Sequence, residues 1–182
     1  MRNHIFSLAL LVGIASGCVD TLAETNDLQT LVDRLADAGK GYRPPDAVKA
    51  HAKLKEAGTN AFPILVRNSR DMRPACPCFQ KDTSDGPTVG ETCLDIISMQ
   101  VERYSYRGKV YPEYLTAGNV AKWWEKNSGR SLQQLQIGAI EWAIAEVESN
   151  NDYQTLRKDG LPELKMCLAE LKSQQSESTT KK

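Results

Sequence analysis

The 182-residue sequence predicts an all-α domain of stacked antiparallel helix pairs carrying one loop insertion. Three observations lead there. Apolar residues recur at helical spacing in one segment after another, with capping residues before them and glycine after them. Alternation of the kind a half-buried strand shows is confined to the short stretch 104–112. Between two helical segments, residues 71–88 are rich in Pro, Gly, Ser and Asp and have no core of their own.

In chain order, Leu28, Leu31, Val32 and Leu35 form one face of a helix over 25–38, started by Thr25 or Asn26 and ended by Gly39. Asp46 caps a second helix, with Val48, Ala52 and Leu54 or Lys55 as its inner face, and Gly58 stops it. A third begins at Thr59 or Asn60 and runs through Ala61, Leu65 and Val66. Pro63 falls in its first turn, where the missing N–H costs little. Helix 89–103 places Val89, Cys93, Ile96, Ile97, Gln100 and Val101 on one side. Thr116 is expected to cap AGNVAKWWEKNSG, with Val120, Trp123 and Trp124 sharing a face. Ser131 and Gln134 make a capping box that opens a long helix. Its apolar residues cover more than half the circumference, which suits a central, buried position. Leu161 and Pro162 start a last helix carrying Leu164, Cys167, Leu168 and Leu171. Residues 173–182 contain no apolar side chain and are expected to be disordered, so the domain proper is 24–172.

The pattern Ala52-x-Leu54-x-x-x-Gly58-x-x-Ala61-x-Pro63-x-Leu65, followed by Asp71, resembles a HEAT repeat. Val89-Gly90-Glu91-x-Cys93-x-x-Ile96 then stands as the first helix of a following unit, so the likeness covers about residues 46–103. It implies two antiparallel helices per unit around a short turn. It implies no particular activity.

The leader reads MRNHIFSLALLVGIASGC. A basic Arg2, an uncharged and mostly apolar run from Ile5 to Ala15, and the small residues that follow have the layout of a secretory signal peptide over 1–23. The run is shorter than the roughly 20 residues that span a bilayer. Ile14-Ala15-Ser16-Gly17-Cys18 resembles a bacterial lipobox, which implies a lipid on Cys18 and attachment to a membrane through it. Ordinary cleavage after Gly17 or Ala23 is the alternative. Either way the chain is expected to be exported to the periplasm or cell envelope.

Export decides how the other cysteines are read, because thiols outside the cytoplasm tend to oxidise. Four remain beyond the leader: Cys76, Cys78, Cys93 and Cys167. Cys76 and Cys78 are only two apart and are expected each to reach a helix. Two pairings satisfy that: Cys76–Cys93 with Cys78–Cys167, or the swapped set. Cys-Pro-Cys is not the Cys-x-x-Cys of a redox enzyme or of the usual zinc site. In Asp82-Thr83-Ser84-Asp85-Gly86 the glycine falls one position early for an EF-hand loop. No metal and no cofactor are expected.

Lys plus Arg balances Asp plus Glu at 23 each, so there is no general basic field to attract nucleic acid. His51 is the only histidine beyond the leader, and it lies among lysines on a helix, where a surface position is expected. A Ser-His-Asp or Cys-His site would depend on it alone. Glu91, Asp95, Glu141 and Glu146 are the carboxylates a cell-wall hydrolase would draw on, but no spacing singles out a pair. The expected function is therefore a non-catalytic one: binding of a protein partner in the envelope, as an immunity or inhibitor protein does. The alternatives are a carboxylate hydrolase and a structural envelope lipoprotein. Tyr104, Tyr106, Tyr111, Trp123 and Trp124 are the candidate binding-surface residues, since aromatic side chains anchor interfaces.

Overall fold

A computed structural model describes residues 27–36, 45–79, 86–102 and 111–180, with side chains described as far as 175. Among them are eight α-helices: α1 (27–35), α2 (Pro45–Glu56), α3 (Phe62–Arg67), α4 (Val89–Val101), α5 (Val120–Asn127), α6 (Leu132–Ser149), α7 (Gln154–Asp159) and α8 (Leu161–Thr180). The described residues form no strand beyond a single β-bridge, so the fold is all-α as the sequence predicts. The leader with Cys18, the tyrosines Tyr104 and Tyr106, and Asp82 to Asp85 lie outside the described residues.

Local chemistry sets most of the helix ends. At α6 the predicted box is closed in both directions, with the Ser131 N–H donating to Gln134 Oε1 and the Gln134 N–H to Ser131 Oγ. Thr88 and Glu91 build the same device at α4. The start of α5 differs from expectation. Its N-cap position is Asn119, three residues beyond Thr116, and Asn119 Oδ1 instead accepts from the Thr116 N–H, closing a turn ahead of the helix. Gly58 breaks α2 with φ +59°, a left-handed conformation that favours glycine. Arg157 donates to the carbonyls of Val147 and Asn150, satisfying the open end of α6. That arginine belongs to α7, a short helix too weakly periodic to be seen in the sequence.

The core runs through all of these elements, from Val32 and Leu35 through Phe62, Leu65, Ile96 and Ile97 to Leu135, Ile140 and Leu164. Helix α4 packs against α2, α3 and α6, and α8 against α6 and α7. Glu141 pairs with Lys172 and Glu148 with Lys165, each at 2.8 Å, so α6 and α8 run antiparallel. On α2 the inner face is Ala47, Ala50 and Leu54, while Val48 is 42% exposed and Ala52 is also exposed. The expected face was thus rotated: alanines take the inner positions, where a small side chain lets the helix approach its neighbours. At the other end, α8 continues to Thr180 through residues expected to be disordered. No Gly or Pro interrupts that stretch, and extending a formed helix is far easier than nucleating one.

The insertion is fastened differently from either predicted pairing. Cys76 and Cys78 are joined to each other, with Cα atoms 5.3 Å apart, while Cys93 and Cys167 are buried and outside any disulfide. A 3-10 turn at Pro77–Phe79 brings the two α-carbons within bridging range, a geometry that sequence separation alone did not suggest. Backbone hydrogen bonds close the neck of the insertion: Ala75 N–H to Pro87 O, Val89 N–H to Arg73 O and Gly90 N–H to Asp71 O, at 2.8–2.9 Å. Gly90 is required there, because a Cβ would lie 2.7 Å from Ser69 O and 2.8 Å from Asp71 N. The Cys76 N–H donates to Leu35 O, and Arg73 bridges Asp71 and Asp33, tying the insertion to α1. Arg73 holds the Asp71 carboxyl below the usual carboxylate range.

Candidate functional site

Five aromatic side chains from four parts of the chain meet on one side of the domain. Phe62 opens α3, Tyr114 follows α4 in the 111–119 connection, Trp123 and Trp124 are on α5, and Trp142 is on α6. Phe62 is fully buried and packs edge-on against Trp124 at 5.6 Å between centroids. Tyr114 stands edge-on to Trp123 at 86° and tilts against Trp142 at 45°. Such inclined contacts are the favoured arrangement for ring quadrupoles. The Trp123 indole N–H donates to the Tyr114 hydroxyl at 3.0 Å, which fixes both rings.

Above Tyr114, Trp123 and Trp142 opens a cleft of about 350 Å³, rimmed by Glu113, Asn119, Lys122, Lys126 and Asn127. Asn119 donates to Tyr114 O and Asn127 to Trp123 O, so both amides brace the wall. Tyr114 itself is set from behind by Glu102. This carboxylate is 5% exposed and accepts the backbone N–H groups of Tyr114 and Leu115 at 3.2 and 3.3 Å. Burial pushes its pKa up, opposed by the hydrogen bonds from Tyr114, Ser98 and Leu115. Glu102 is thus a positioning group for the cleft, anchored at the end of α4.

Of the predicted binding residues, Trp123 lines the cleft. Trp124 lies half-buried beside it and does not line it. Tyr111 is buried, its ring against Gly160, with its hydroxyl 3.5 Å from Gly160 O. Trp142 is one of the apolar residues of the long helix for which the sequence suggests a buried position, and Tyr114, Lys122, Lys126 and Glu102 carry no signal singled out in the sequence. Lysines at i and i+4 flanking two tryptophans were the available signal.

The four carboxylates considered for hydrolysis fall two on α4 and two on α6. Glu91 is held in its capping box, Glu141 pairs with Lys172, and Glu146 accepts from Asn150. Asp95 is half-buried on α4, and none of the four lines the cleft. Among the described residues, no three His, Cys, Asp or Glu side chains are grouped as metal ligands would be. No described helix is long and apolar enough to cross a membrane.

His51 is not a plain surface residue. Its ring stacks on Phe79 of the insertion, with centroids 4.7 Å apart. Burial, and then the charge of Lys55, lower its pKa.

No protein-family model, curated protein or solved structure matches this chain. The functional reading therefore stands on the geometry of the cleft.

Proposed function

We propose that this is an exported, non-catalytic helical protein that binds a protein partner in the cell envelope, as an immunity or inhibitor protein would, through the cleft between the 111–119 connection, α5 and α6. The observation that carries the reading is the convergence of Tyr114, Trp123 and Trp142 on one concave floor. Aromatic anchors in a small pocket ringed by polar groups have the composition of an interface hot spot. The floor is braced within the chain itself, by the Trp123–Tyr114 hydrogen bond and by Glu102. A site already in its bound shape avoids much of the ordering cost of association.

Export is supported by the leader and by the Cys76–Cys78 disulfide, a bond that persists in oxidising compartments. The HEAT-like reading is supported by α2 and α3, joined by a short turn, both packing on α4 around Leu54, Leu65 and Ile96. Carboxylate hydrolysis is the less supported alternative, since none of the acids it would draw on lines the cleft.

The test is affinity capture from envelope extract, using wild-type protein and the Trp142→Ala and Lys122→Glu variants as bait, with circular dichroism to verify folding. The expected result is a partner retained by wild type and lost from both variants. Capture of nothing, together with cleavage of peptidoglycan by the purified protein, would overturn the proposal.

A further inference from the structure

We infer that the cleft takes an acidic segment of its protein partner, with one apolar or aromatic side chain seated between carboxylates. The inference rests on the cleft being the protein-binding site, and the charge of its rim takes it further. Lys122 and Lys126 sit one helical turn apart on α5, so their stems emerge on the same side. Both are exposed, and neither is in an ion pair among the described residues. In this they differ from Lys165 and Lys172, which neutralise acids of α6. Glu113 is the one acid on the rim, so the cleft carries a net excess of positive charge in a chain that is neutral as a whole.

The hydrogen-bonding groups point the same way. The indole N–H of Trp142 donates to no acceptor among the described residues, whereas that of Trp123 is taken up by Tyr114. With two ammonium groups beside it, this N–H adds a donor to the cleft, and such donors suit carboxylate oxygens. Shape decides between a peptide and an acidic sugar. A sugar ring stacks best on a single flat aromatic face. Here the rings are inclined at 45° and 86° and present no single flat platform, which favours a side chain of a peptide over a sugar ring. Steering by the lysines adds to association rate and specificity.

The chain's three tryptophans, Trp123, Trp124 and Trp142, all lie in or beside the cleft, so the indole N–H signals of the labelled full-length protein report directly on it. The probes are three blocked pentapeptides, Asp-Glu-Phe-Asp-Glu, Lys-Arg-Phe-Lys-Arg and Ser-Gly-Phe-Gly-Ser, and free glucuronate. The acidic peptide is expected to shift the Trp142 signal. Added salt, or the double variant Lys122→Glu/Lys126→Glu, should weaken its binding by about tenfold. Both lysines are exposed, so the variant should keep the fold. Absence of a shift, equal or stronger binding of the neutral or basic peptide, or a response to glucuronate alone would each overturn the inference. A captured partner that is lost with Trp142→Ala yet indifferent to the double reversal would also overturn it, while leaving the binding function standing.

Discussion

The imidazole of His51 on α2 lies parallel to within 19° on the ring of Phe79, one residue beyond Cys78. The stack joins the insertion to the helical body on the α2 side, as the Cys76 N–H to Leu35 O bond joins it to α1. The histidine is therefore part of how a segment without a core of its own is held.

Its lowered pKa sets a pH dependence. The folded protein favours the neutral ring, so near pH 6.5 the unfolded chain binds more protons than the folded one. The contribution of His51 is complete above that pH and is lost as pH falls from there through the lower folded pKa. Glu102, with a raised pKa, acts in the opposite sense, so the comparison must be with a variant. Between pH 7.5 and 5.5, about one unit to either side of the free histidine value, wild type should lose more thermal stability than His51→Gln. Equal loss would show that the stack does not discriminate the charged ring.

Glu102→Ala should cost about 2–4 kcal/mol, because it leaves the N–H groups of Tyr114 and Leu115 buried without an acceptor. Urea titration gives the magnitude. Tryptophan emission should shift as well, since Tyr114 loses the group that sets it against Trp123. Glu102→Gln keeps one acceptor oxygen and should fall between wild type and the alanine variant.

Gly90→Ala should be among the most damaging single-methyl changes in the chain. The added carbon meets the backbone of Ser69 and Asp71, which cannot swing aside as a side chain can. A loss of about 2–4 kcal/mol is expected, at the upper end of overpacking costs, read from the same urea titration. Gly129→Ala, with open space around its Cβ, is the control and should be near neutral.

Peptide mapping without reduction should recover Cys76 and Cys78 as one disulfide-linked peptide. Cys93 should resist alkylation in the folded protein and react after denaturation, because burial pushes its thiol up to about 12 and removes it from reagent. A Cys93 or Cys167 peptide linked to the insertion would contradict this arrangement.

Much of the fold was legible from local chemistry. Periodicity located α1 to α6 and α8, and Ser131, Gln134 and Gly58 marked boundaries that the structure keeps, because capping and left-handed turns are decided within a few residues. The rotation of α2 about its axis was not, since Ala47 and Val48 are both apolar and only the neighbours choose between them. Helix α7 was missed because its packing against α6 and α8, rather than an apolar stripe, accounts for it. The disulfide depended on a 3-10 turn that spacing does not reveal. The cleft lay furthest from view: Tyr114, Trp123 and Trp142 stand on three successive segments, and their meeting, like the Glu102 carboxylate behind them, is a product of how α3, α4, α5 and α6 pack. By itself the sequence determined most of the helical segments and several of their boundaries, as short-range hydrogen bonding and hydrophobic spacing dictate. Tertiary structure alone decided which faces turn inward and which aromatic rings share a cleft, because those outcomes depend on how separate elements pack, while the Cys76–Cys78 bond was decided by a local turn that spacing does not reveal.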